Sequence, residues 1–184
     1  MKTACCIMAL ALFQYALVSN LCACSGNPKS QPTKTDDKDY EIKKAQLIKE
    51  HLRIIRDKKL LEMNMEKALE AIGILEVFEA TEAIPDLVEI LDFTLIEKRT
   101  IFGESYPAAK ALKSFGKPAA DAIVKALAEK DRSPKYIRIA LSTLTDLNGS
   151  RQKVKVLLNE EIKKEKDMKK IQRLKDVEAT IKGS

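Results

Sequence analysis

The sequence predicts an all-helical domain behind an amino-terminal export signal, and three observations carry that prediction. From Tyr40 onward apolar residues recur three or four apart, while strand-like alternation is sustained nowhere. Similar helical segments return roughly 32 to 40 residues apart through the middle of the chain, the period of stacked helical units. Charged residues make up 33% of the chain and aromatic residues 5%, with no tryptophan. That composition suits helices packed through Ala, Leu and Ile.

The first element is the signal, residues 1–23. Lys2 is its only charge before Lys29, Ala4 to Val18 is apolar apart from Gln14, and Leu21-Cys22-Ala23-Cys24 closes it. A short basic start, an apolar middle and small residues before a cut are the layout of a secretory leader. An uncleaved membrane anchor is the other reading. Its apolar stretch falls short of the roughly 20 residues that a spanning helix takes. The closing segment resembles the lipobox of bacterial lipoproteins, with Leu21 in the aliphatic place, Ala23 in the small one and Cys24 as acceptor. Taking Cys22 as acceptor would put Leu21 in the small-residue place. The resemblance implies cleavage before Cys24 and its modification by diacylglyceryl and a further acyl chain such as palmitate. Two or three acyl chains, each buried CH₂ adding about 0.8 kcal/mol, hold a protein on a membrane stably where a single chain does not. All four cysteines, Cys5, Cys6, Cys22 and Cys24, lie in this region. The mature chain would keep Cys24 alone, leaving no internal disulfide to form.

The second element, residues 24–38, pairs the lipidated Cys24 with a tether rich in Pro, Lys, Ser, Thr, Gln and Asp. It has too little apolar surface to offset its ordering entropy, so it reads as flexible. Residues 39–184 form the helical domain. Its first helix is expected over Tyr40 to Arg56, with Ala45, Ile48, Leu52 and Ile55 as one stripe and Asp36, Asp37 or Asp39 as cap.

Three helical pairs follow. The first joins Ala71, Ile72 and Leu75 to Ala83, Ile84, Leu87, Val88 and Leu91. The second joins Ala108, Ala111 and Leu112 to Ala119, Ala120, Ile123, Val124 and Leu127. The third, looser one joins Ile137, Ala140 and Leu144 to Val154, Leu157 and Leu158. Ser105 with Pro107 is expected to start one helix and Gly116 to end it; Pro118 starts its partner. Ser133-Pro134 repeats the start signal, and Gly149-Ser150 supplies an exit and the next cap. Between the first two pairs, Asp92–Glu104 holds Phe93, Leu95, Ile96, Ile101 and Phe102. Two readings stand: Asp92 to Lys98 extends the preceding helix and Ile101-Phe102 seal its end, or the segment is an exposed apolar loop.

These pairs resemble HEAT-like repeats over roughly Leu60 to Asn159. The resemblance implies a short α-solenoid of about three helical pairs with capping helices, whose role is binding other proteins. The tail, Arg151 to Lys182, is helical throughout in pattern. Met168, Ile171, Leu174, Val177 and Ile181 form a narrow stripe that caps the last repeat. The alternative is a basic helix lying on anionic lipid or cell-wall polymer.

Charge separates along the chain, whose net is +6. Between residues 64 and 104, ten acids face three bases, whereas residues 105–150 and 151–184 are each net basic. Such polarity steers charged partners. The candidate partner-binding residues are therefore Glu76, Glu79, Glu82 and Glu89 in the first pair, and Lys110, Lys113, Lys117 and Arg138 in the second and third.

Catalytic patterns are sparse. His51 is the single histidine and sits in a helical stretch as a surface or boundary residue. No zinc-ligand spacing, Gly-rich phosphate loop or nucleophile elbow occurs. No cofactor, metal or small-molecule substrate is expected, and no nucleic acid, since aromatic residues do not interleave with the basic ones. The expected protein is a non-catalytic scaffold, lipid-anchored to the cell membrane or outer membrane, facing periplasm or exterior, with a cell-envelope protein as partner. Ser25 after the acceptor, in place of aspartate, leans by resemblance to the outer membrane.

Overall fold

The computed structural model describes residues 34–94 and 106–182. Among them the chain is all-helical, with nine α-helices and no strand. It divides into two compact units, Met1–Glu41 and Ile42–Ser184. Of the first, the opening turns of helix α1 are described. Cys24, the signal and most of the tether lie outside the described residues.

Helix α1, Lys34–Arg56, starts earlier than the Tyr40 expected, inside the stretch read as tether. Acidic sequence is favoured in the first turns of a helix, opposite the positive end of its dipole, and Thr35 to Asp39 supplies it. Ile48, Leu52 and Ile55 are buried, but Ala45 is exposed. The stripe is thus confined to the second half of the helix. Asp57 then caps α2, Lys58–Met63, accepting from the Lys59 and Leu60 amides at 3.0 and 3.2 Å. Asn64 ends α2 and caps α3, Met65–Val77, through the Lys67 amide at 3.1 Å.

The end of α3 is unusual. Glu79 has φ of 51°, the left-handed region that glycine normally fills. The Glu79 amide donates to the Glu76 carbonyl and the Ala80 amide to the Leu75 carbonyl, both at 3.0 Å. This is the Schellman pattern of helix closure with a glutamate in the glycine position. A 3₁₀ turn, Thr81–Ala83, leads into α4, Ile84–Glu89.

Helix α4 ends at Glu89, and Ile90 to Asp92 turn away, so the helix is not extended over Asp92 to Thr94. Leu91 folds in to full burial, its amide donating to the Val88 carbonyl at 3.3 Å. Leu95 to Ser105 lie outside the described residues. Helix α5, Pro107–Ser114, takes Tyr106 rather than Ser105 at its N-cap, without a side-chain hydrogen bond. Gly116, φ 64°, makes the sharp reversal into α6, Lys117–Glu129. Ser133 caps α7, Pro134–Asn148, and Gly149, φ 79°, closes it. Ser150 caps α8, Arg151–Lys164, through the Lys153 amide at 3.2 Å.

The tail is broken where continuous helix was expected. Glu165 to Asp167 separate α8 from α9, Met168–Lys182. The carboxylate of Glu165 accepts from the Lys166 and Asp167 amides, and that of Asp167 from the Lys169 amide at 2.8 Å. These side-chain bonds replace the helical ladder and restart it.

Within Ile42–Ser184, α5 packs against both α3 and α7, and α6 packs against both α4 and α9. Helix α8 lies against α7 and α9. The third pair, α7 with α8, is therefore present, but the tail helix α9, not α8, is a main neighbour of α6. Leu174 and Val177 are buried there, and the Arg173 guanidinium donates to the Ala128 and Glu129 carbonyls, both at 3.2 Å. Those bonds satisfy carbonyls at the end of α6 that lack helical partners. All the pairs share one core, from Ile48 in α1 through Leu75, Leu112, Leu127 and Leu144 to Leu174 in α9. Buried alanines, including Ala108, Ala111, Ala119 and Ala140, occupy the seams.

Candidate functional site

An open groove of about 580 Å³ runs between α5 and α7. Tyr106, Ala109, Lys110 and Lys113 line it from the α5 side. Arg138, Ile139, Ser142 and Thr143 line it from α7. The spacing follows from helix geometry: residues three and four apart share a face. Ala109 and Ile139 are buried and give an apolar floor, while Lys110, Lys113 and Arg138 are exposed.

Three cations thus border one depression. Lys113 pairs with Asp146 of α7, a bond that ties the two helices. The Lys135 ammonium lies 5.5 Å from the centre of the Tyr106 ring, adding positive charge near one end. Thr143 is buried and its hydroxyl donates to the Ile139 carbonyl at 2.9 Å, so it serves its own helix. The groove therefore offers positive charge and a concave shape to an anionic surface.

Of the eight residues named from sequence, Lys110, Lys113 and Arg138 come together here. Lys117 is exposed at the start of α6, outside the lining. Glu76 is half-buried in α3, and Glu79 and Glu82 are exposed at the α3–α4 corner. Glu89 belongs to a different structure. Its carboxylate takes Arg132 at 2.8 and 3.2 Å and also Lys130. These contacts, the Arg132 hydrogen bond first among them, hold the Glu89 carboxyl down to about 2. Arg132 also stacks over the Tyr136 ring, 4.3 Å from its centre. The Tyr136 hydroxyl donates to the Val88 carbonyl at 2.8 Å. Burial pushes that phenol upward, away from ionisation.

Sequence reasoning missed Arg132 and Tyr136, along with Tyr106 and Ser142. Arg132 sits in a short connection, where helical periodicity says nothing. His51 is more buried than expected, and its Nδ1 donates to the Leu47 carbonyl at 2.7 Å. It is enclosed in α1 away from the groove lining. Among the described residues no group of three or more His, Cys, Asp or Glu is placed to hold a metal ion. Nor is any described helix long and apolar enough to cross a membrane.

Compared with protein-family models, curated proteins and solved structures, the chain matches none. The functional reading therefore rests on its own residues.

Proposed function

We propose that this chain is a lipoprotein, acylated at Cys24, whose helices form a short HEAT-like solenoid that binds another protein of the bacterial cell envelope without catalysing a reaction. The observation that carries the reading is the groove, where Lys110, Lys113 and Arg138 from two different helices face one apolar-floored depression. The succession α3–α5–α7, with α4–α6–α9 beside it, is the neighbour pattern that stacked helical pairs produce. Packing preorganises such a surface, so little ordering cost is left for binding. An acyl anchor would confine it to the membrane and raise its effective concentration there.

Two measurements test this. Intact mass of the membrane fraction should show loss of residues 1–23 and added acyl chains; an unmodified Cys24 removes the anchor. A photocrosslinker placed at Ser142, inside the groove, should capture a protein that one at exposed Lys125 on α6 does not. Lys110→Glu with Arg138→Glu should abolish that adduct. Equal capture from both sites would discard the groove as the binding face.

A second reading has one specific observation in its favour. Lys163, Lys164, Lys166 and Lys169 are all exposed around the α8–α9 break, while the neighbouring Glu165 and Asp167 carboxylates are committed to backbone amides. Such a cluster suits anionic lipid or cell-wall polymer. Co-sedimentation with anionic vesicles that salt abolishes, and that neutralising these lysines removes, would favour it.

A further inference from the structure

We propose that the turn joining α8 to α9 seats on an anionic lipid bilayer, with its lysines at the headgroups and Met168 entering the acyl boundary beneath them. This rests on the second reading above, that the basic cluster binds an anionic surface; it commits that cluster to lipid and adds an apolar contact.

Met168 was expected in the apolar stripe of α9, but the fold leaves it out. Gln172 and Lys175, four and seven positions further on, share its side of the helix and are exposed. Leu174 and Val177 are buried on the other side. An exposed apolar residue standing alone means little, and Met168 is not the only one. Among the described residues the most exposed large apolar side chains are Met63 at 75%, and Val77 and Met168 at 73% each. Their electrostatic surroundings set them apart. Within five positions on either side, Val77 has three acids and no base, Met63 has three bases and two acids, and Met168 has six bases and two acids.

The two acids beside Met168 are tied down. Glu165 accepts from the Lys166 and Asp167 amides at 2.7 and 3.0 Å, and Asp167 from the Lys169 amide at 2.8 Å. Two of the six bases are occupied as well, Lys170 by Glu129 and Arg173 by Asp131. That leaves Lys163, Lys164, Lys166 and Lys169 exposed around Met168.

A cluster of four lysines is drawn to anionic headgroups. An apolar side chain carried to the same level gains by leaving water, and the two contributions together set the strength of surface attachment. A polyanionic cell-wall polymer answers the lysines yet offers Met168 no apolar layer; a bilayer answers both. The attraction is between exposed charges, so it weakens with salt.

The chain contains no tryptophan, so Met168→Trp places a single reporter at the turn. The full chain carrying it is reconstituted into vesicles of phosphatidylcholine alone or mixed with phosphatidylglycerol, with brominated acyl chains as quencher. Expected in the anionic vesicles are a blue-shifted emission and quenching about twofold or more above that in the neutral ones. High salt should reverse both, as should Lys163→Gln with Lys166→Gln in the same chain. Met63→Trp, at an equally exposed site, should give one aqueous emission in both vesicle types. Wild-type chain gives a second readout that no substitution can disturb: a membrane-impermeant oxidant should convert Met168 to its sulfoxide more slowly on anionic than on neutral vesicles, and Met63 at the same rate on both. Emission and oxidation at position 168 that do not differ between the vesicles overturn the proposal. If salt-sensitive, lysine-dependent binding to vesicles or to cell-wall polymer persists while position 168 stays in water, the basic-cluster reading stands and the lipid seat falls. If that binding is absent too, both fall.

Discussion

Arg132 and Glu89, separated by 43 residues in sequence, meet as a fork, Nη2 to Oε1 at 2.8 Å and Nη1 to Oε2 at 3.2 Å. The pair joins the end of α4 to the connection between α6 and α7. Arg132 is the enclosed member, its side chain 8% exposed against 50% for Glu89, and its guanidinium lies over the Tyr136 ring. Stability should depend on pH through this contact. The Glu89 carboxyl is depressed from 4.5 to about 2 in the folded chain. A lowered carboxyl stabilises the fold above its unfolded value and loses that contribution as pH falls toward the folded value. With Glu89 half exposed, solvent screening reduces the effect to roughly 1 kcal/mol. Urea unfolding of wild type and Glu89→Gln should differ by that amount at pH 7 and converge toward pH 2. A gap that stays constant over this window would refute the assignment.

Tyr136 supplies a separate check. Its hydroxyl bonds the Val88 carbonyl, which also accepts from the Leu91 amide, so removing the hydroxyl does not strand that acceptor. Tyr136→Phe should cost about 1 kcal/mol, whereas Tyr136→Ala, which empties a buried site, should cost about 3 to 5 kcal/mol. Denaturant midpoints of the two variants that coincide would contradict the packing described.

Glu79 occupies a backbone conformation that costs a side-chain-bearing residue roughly 1 kcal/mol relative to glycine. Glu79→Gly should therefore raise stability by about 0.5 to 1 kcal/mol, visible as a higher melting temperature. A lower one would mean that the glutamate side chain contributes something its exposed position does not reveal.

Leu174 is fully buried while Met168, at the start of the same helix, is 73% exposed. Leu174→Ala should cost about 2 to 5 kcal/mol, and Met168→Ala less than about 0.5 kcal/mol. Equal effects would show that α9 does not seat against α6 as described.

Much of the helical content was legible from local pattern. The stripe of Ile48, Leu52 and Ile55, the starts at Ser133 and Ser150, and the exits at Gly116 and Gly149 each follow from a short-range preference of neighbouring residues. The breaks at Asp57, Asn64 and Glu165 were less visible, because a carboxylate or amide that caps a helix looks the same in sequence as one on its solvated face. The groove was legible in part: a basic character for Lys110, Lys113 and Arg138 follows from composition, but their convergence does not. Glu89 shows the limit most plainly. By sequence it belonged with Glu76, Glu79 and Glu82; in the fold it is consumed by Arg132.

The sequence by itself determined that this chain folds as helices, and roughly where each begins, since a turn of helix is decided by residues within four positions of each other. Only the tertiary structure decided that α9 rather than α8 lies against α6, that three cations share a groove, and that acids such as Asp86 and Glu89 are matched by distant arginines. Those outcomes depend on residues tens of positions apart being brought together by burial, a force proportional to apolar area and indifferent to sequence distance.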